Sequence, residues 1–258
     1  MLVGWPVLKK RIIPVQLLMG GRLVKTQNFK APRDVGDPIS SAQVYNSQNA
    51  DELVFLNIER INRTITPLVD CLERLSEVCF MPLTVGGGVK TVDDAGKLIK
   101  AGADKIILSS ICYESPDLIS RIADRFGSQA VVVGIDVRRD RDTFRLMSDC
   151  GNTLEDIDIE EHVSICISAG AGEILIQSID RDGAMNGFDI ELLEKINILA
   201  TVPVIALGGA GNYDHLKSAF SESNVSAVAC GSLFNFSDSN PIRAKAYLSN
   251  YGLQFKVV

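Results

Sequence analysis

Eight short runs of β-branched and other apolar residues punctuate the chain, at positions 11–18, 52–58, 82–85, 105–108, 130–137, 173–179, 203–207 and 226–230. Each is nearly continuous in its apolar character rather than alternating, which suits strands buried on both faces of a parallel sheet. Segments of helical period lie between them. In residues 64–78, Leu68, Leu72 and Leu75 fall on one side. Residues 92–101 follow Thr91, a capping residue type, and carry Asp93 and Asp94 where a helix dipole favours negative charge. Residues 116–126 open with Pro116 after Ser115, residues 190–200 follow Asp189, and residues 213–220 follow Asn212. Strands alternating with helices predict an α/β protein of the (β/α)8 TIM-barrel class, with an open doubly wound sheet as the alternative. The polar stretch 140–152 reads as a β-hairpin or a long loop inserted before the next helix.

An internal repeat favours the barrel. The block from Asp51 to Arg60 matches that from Gly172 to Arg181, with Glu52 and Glu173 separated by 121 positions. Pro82 and Pro203 are separated by the same 121 positions, and each introduces a strand followed by paired glycines. Two matched blocks at one shift describe one barrel domain over residues 1–258, built from similar half-barrels of about 1–125 and 126–258.

Composition narrows the function classes. A chain of 258 residues buries enough surface to need no disulfide or metal staple. Its net charge of -6 argues against a nucleic-acid or anionic-membrane surface. Lys9, Lys10 and Arg11 interrupt the apolar N-terminus, and no stretch reaches the ~20 apolar residues of a membrane span. The six cysteines form no CxxC pair and read as reduced core residues of a cytoplasmic protein. With only His162 and His215, a His-rich metal site is not expected, and no cofactor is implied.

In this fold ligands sit where the strands end. Gly86, Gly87 and Gly88 follow the third run, and Ser109 and Ser110 the fourth. Gly208, Gly209, Ala210 and Gly211 follow the seventh, and Gly231 and Ser232 the eighth. Glycine lets the backbone approach an anion, and helix-start N–H groups point at it. Two such turns in repeat-related positions predict two phosphate sites and a bisphosphorylated ligand. Between them stand Asp136, at the end of the fifth run, and Asp180, Asp182 and Gly183, after the sixth. A carboxylate at a strand's C-terminal end is a candidate general acid or base. Asp136 is the stronger candidate, and Asp182 serves equally well as a loop-stabilising acceptor.

The motifs RIIPVQLLMGGRLVKTQNF, GDPI, ADELVFLNI, PLTVGGGV, AGADKIILSS, RFGSQAVVVGIDV, GAGEILIQSIDRDGAMNGFD and PVIALGGAGN occur in order. With them the chain resembles, from about Lys10 to Phe236, the cyclase subunit of imidazole glycerol phosphate synthase. The resemblance implies a (β/α)8 barrel that takes ammonia from a class I glutaminase subunit docked at its N-terminal face. It further implies a lyase-type cyclisation of a ribulosyl aminoimidazole carboxamide nucleotide, a bisphosphate, in histidine biosynthesis. Asp136, Asp182 and Lys25 are then the catalytic candidates, and Gly87, Gly88, Ser109, Ser110, Gly183, Gly208, Gly209, Gly231 and Ser232 the phosphate ligands. Arg11, Glu52, Lys105 and Glu173 match the charged residues that the family places around its ammonia inlet. Asp104 matches a position at the glutaminase interface.

The chain departs from the family at the top of the barrel. The family carries a catalytic aspartate where this sequence has Leu17, and an aspartate where it has Asn57; the loop from Glu59 to Arg63 looks shorter. Losing one positioned acid or base typically costs ~10²–10⁴ in rate. Three expectations stay open: a diverged paralogue passing ammonia to another acceptor, as in sugar amidination for surface polysaccharides; a true cyclase that tolerates Leu17; and a non-catalytic scaffold that binds a phosphorylated metabolite and regulates the glutaminase.

Overall fold

The computed structural model describes residues 9–256. The apolar start of the chain up to Leu8 and the last two residues lie outside that span. From the N-terminus the elements are β1 (Arg11–Met19), β2 (Arg22–Gln27), β3 (Lys30–Gly36), α1 (Pro38–Ser47), β4 (Leu53–Asn57) and α2 (Thr66–Leu75). There follow β5 (Leu83–Gly86), α3 (Val92–Lys100), β6 (Lys105–Leu108), α4 (Ile111–Glu114), α5 (Asp117–Phe126), β7 (Val131–Asp140), β8 (Thr143–Ser148) and β9 (Thr153–Leu154). The chain continues with α6 (Ile159–Ser168), β10 (Glu173–Ser178), α7 (Ile190–Leu199), β11 (Val204–Leu207), α8 (Tyr213–Glu222), β12 (Ala227–Cys230), α9 (Ser232–Phe236) and α10 (Pro241–Ser249).

Strands β1, β4, β5, β6, β7, β10, β11 and β12 pair in parallel, and β12 pairs with β1, so the sheet closes on itself. All eight apolar runs are barrel strands. The side chains partition into two layers. Ile13, Val15, Val54, Ile107, Val132, Leu175, Ile205 and Leu207 fill the lumen, with Leu17 and Leu56 packed on them. The opposite strand faces meet the helices in a larger outer core that includes Ile12, Leu53, Ile106, Val131 and Ile174. No helix among the described residues is long and apolar enough to cross a membrane.

The capping chemistry sets the helix starts. Thr91 and Asp94 form a reciprocal capping box, and Asp189 and Asn212 accept from backbone N–H groups of α7 and α8. Pro116 stands at the N-cap of α5, so that helix starts one residue later than its sequence suggests. Two antiparallel additions crown the barrel. The stretch after β7 is a hairpin with β8, extended by β9. The hairpin of β2 and β3 grows out of β1 and was not foreseen from the hydrophobic pattern.

Candidate functional site at the barrel mouth and its lower ring

The C-terminal ends of the strands open onto a cavity of about 490 Å³, with Gly87, Gly88, Ser109 and Ser110 on one side. The second glycine turn, Gly208, Gly209, Gly231 and Ser232 together with Gly183, surrounds a smaller recess of about 30 Å³. Leu17, Thr26 and Gln177 line both spaces. Bare backbone is needed at each turn: a Cβ on Gly87 (φ +98°) would lie 2.1 Å from the Asn57 carbonyl oxygen. A Cβ on Gly209 (φ +108°) would lie equally close to that of Gly187.

The floor of the cavity is divided. Leu17 on β1 is the register partner of Leu56 on β4. Asp136 on β7 is the register partner of Gln177 on β10. Leu56 and Gln177 are 121 positions apart, so the repeat places an apolar pair in one half and a polar pair in the other. Burial pushes the Asp136 carboxyl up to about 7, helped by the charge of Asp182 and opposed by the Arg63 guanidinium. An acid held near neutrality is poised to give or take a proton.

Lys25 on β2 is buried beside the second turn. Its Nζ donates to the Val15 carbonyl oxygen and lies 2.9 Å from where a Cβ on Gly231 would stand. Burial pushes its amine down to about 7, against the favourable charge of Asp182. Asp182 itself is engaged: it accepts from Thr26 Oγ1 at 2.8 Å and from the Phe29 N–H at 3.1 Å. Burial nonetheless raises its carboxyl above the usual carboxylate range. Asn28 donates its side-chain amide to the Ile179 and Asp180 carbonyls at 3.1 and 2.9 Å. The tip of the β2–β3 hairpin is thus latched to the loop after β10, and Asp182 is a latch acceptor.

The loop after β4 joins both hairpins. Asn57 holds it in shape, donating to the Thr64 carbonyl at 2.9 Å and accepting from the Glu59 N–H at 3.1 Å. Glu59 accepts from the Gly20 N–H, and Arg60 donates to the Phe29 carbonyl at 2.5 Å. Arg63 lies 2.9 Å from Cys150 Sγ in the loop after β8. The Oγ of Ser110 accepts from the Asp149 N–H at 3.0 Å, which ties the first glycine turn to the same loop. An aspartate at 57 would have no N–H to give Thr64, so the amide is what holds the loop after β4 in this shape.

At the other end of the barrel Arg11, Glu52, Lys105 and Glu173 form a closed ring. Arg11 reaches Glu52 at 3.0 Å and Glu173 at 3.1 Å; Lys105 reaches them at 2.9 and 3.1 Å. The apolar lumen begins directly above. Asp104 is exposed on this lower face, with one carboxylate oxygen accepting from the Leu83 N–H at 2.8 Å.

A barrel with two glycine turns above and a charged ring below is the architecture the sequence motifs imply, and comparison with known proteins places it. A family model described as histidine biosynthesis protein matches residues 11–240. The chain belongs to that family. Two relatives, each an imidazole glycerol phosphate synthase subunit HisF of Caulobacter vibrioides, come from strains NA1000 / CB15N and ATCC 19089 / CIP 103742 / CB 15. Each is 42% identical over 253 residues, covering 97% of this chain and 97% of its own.

Within this member of the histidine biosynthesis family, every sequence-selected residue lies at the mouth or the lower face. The structure adds Phe29, Arg60, Arg63, Gln177 and Thr84, none of which stood out in the sequence. Gln177 and Arg60 had a signal, since each has a repeat partner, Leu56 and Arg181, 121 positions away. Thr84, a lone hydroxyl in an apolar strand, had none.

Proposed function

We propose that this chain is the ammonia-conducting barrel of a glutamine-dependent synthase. It docks on a glutaminase subunit through its lower face and passes ammonia to an acceptor other than the ribulosyl nucleotide. The observation that carries this reading is the divided floor: Leu17 and Leu56 face the cavity opposite Asp136 while the lower ring is closed. Conduction needs the ring and the apolar lumen, and both are present. Cyclisation needs proton transfer from both sides of the closing ring, and Leu17 has no proton to transfer. The acceptor class that suits a bisphosphate-type mouth without cyclase chemistry is a phosphorylated or nucleotide-linked sugar, as in surface-polysaccharide amidination.

A second reading, a true cyclase, draws on the long match to two HisF subunits and on Asp136, Lys25 and both glycine turns. Both readings meet in one assay. Purified chain supplied with ammonium and the ribulosyl nucleotide is expected to show no turnover, and Leu17→Asp a small gain. The gain stays small because Asn57 and the short loop shape a different cavity, and misplacement by ~1 Å costs ~10² in rate. Turnover by the unmodified chain at ~1 per second or faster, ordinary for an enzyme, would establish the cyclase instead.

A further inference from the structure

The lower ring has unequal arms. Glu52 is held by three donors: Lys105 at 2.9 Å, Arg11 at 3.0 Å and the hydroxyl of Thr84 at 2.6 Å. Among the described residues Glu173 has only the two cations, each at 3.1 Å. The Glu52 side chain is 3% exposed and that of Glu173 is 13% exposed. Thr84 is fully buried on β5, and the residue 121 positions on is Ile205, so the repeat supplies no matching donor to Glu173.

These differences decide which contacts yield. Releasing Glu173 breaks two bonds and turns its carboxylate towards water, which replaces the lost donors. Releasing Glu52 breaks three and leaves a charge buried without compensation, the costliest outcome for an ion pair. We propose that the ring opens on its Glu173 side, with Glu52 as a fixed post and Thr84 as the residue that positions it. Lys105 and Arg11 stay anchored to Glu52 while Glu173 swings away, which clears a path into the lumen without stranding either cation. The inference rests on the gate reading for its purpose; the direction of opening follows from the ring alone.

Hydrogen exchange of the Lys105 ammonium protons with water, followed by NMR on the intact chain, reports opening. Thr84→Val keeps all four charges but unfastens the post, so that Glu52 can yield as well as Glu173; exchange is then expected to speed up by about tenfold or more, the worth of one hydrogen bond to a charged group. Thr84→Ser restores the hydroxyl and should restore slow exchange, which a packing role for the threonine methyl would not do. Glu173→Gln should speed exchange with little loss of thermal stability, whereas Glu52→Gln should lower the unfolding temperature sharply. Unchanged exchange in Thr84→Val, or equal destabilisation by the two glutamine substitutions, would overturn the proposal. Adding the glutaminase subunit separates the two ideas. Failure of that subunit to bind, with the asymmetry intact, would sink the gate reading and leave the fixed post standing.

Discussion

Asp136 retains its proton to about pH 7 because its carboxyl is buried at the cavity floor near a second acid, with only Arg63 opposing the shift. The unfolded carboxyl loses its proton near pH ~4. Between those values the native state holds a proton that the unfolded state has released, so stability falls as pH rises through that window. Asp136→Asn stays neutral throughout. Its unfolding temperature, relative to wild type, should therefore rise between pH 4 and pH 7 and level off above. A constant offset across that range would mean that Asp136 is not held protonated. Among the described residues Leu17 and Leu56, not a carboxylate, stand at the Asp136 level in the facing half, and the charges that act on Asp136 are those of Asp182 and Arg63, both supplied by loops.

The β2–β3 hairpin is the element on which the mouth depends. It carries Lys25 to one recess and Phe29 to the other, and its tip rests on Asp182, Ile179 and Asp180. Asp182→Ala removes the acceptor for Thr26 Oγ1 and the Phe29 N–H. Amide exchange at residues 28–31 is expected to become fast while the barrel strands stay protected; protection unchanged at the tip would show that Asp182 has another task. This hairpin was illegible in the sequence because its outer strand, KAPRDVG, is mostly exposed and broken up by Lys30, Pro32, Arg33 and Asp34, so no apolar run marks it. Helix α1 escaped for a related reason: it buries only Pro38, Ala42 and Tyr45, and its start is written in the Asp37 cap rather than in a stripe. The barrel strands were legible because they are buried on both faces, and the glycine turns because only glycine fits beside Asn57 and Gly187. Thr84 and Arg63 act through tertiary contacts with residues 32 and 87 positions away, which no local pattern records.

On the scale of the whole molecule, two halves of one repeat have been put to unequal use. The first glycine turn opens on about 490 Å³ and meets Arg60 and Arg63 from the loop after β4, whereas the second holds about 30 Å³ with the Lys25 amine inside it. On the bisphosphate reading, an anion would enter the first turn without rearrangement. At the second it would have to shift Lys25, and would bind best with that amine charged. Burial pushes the amine down to about 7, so above that pH binding must take up a proton and weakens by up to tenfold per unit. Sulfate is a suitable probe because it does not titrate in this range. Calorimetric titration is expected to resolve two sites, one of which weakens steadily from pH 7 upward and releases a heat that depends on the buffer's own ionisation. Lys25→Met should remove that site and its pH dependence together, leaving the other in place. A single class of site, or a pH dependence that survives in Lys25→Met, would show that the second turn is not an anion cradle and that the ligand of this barrel carries one phosphate rather than two.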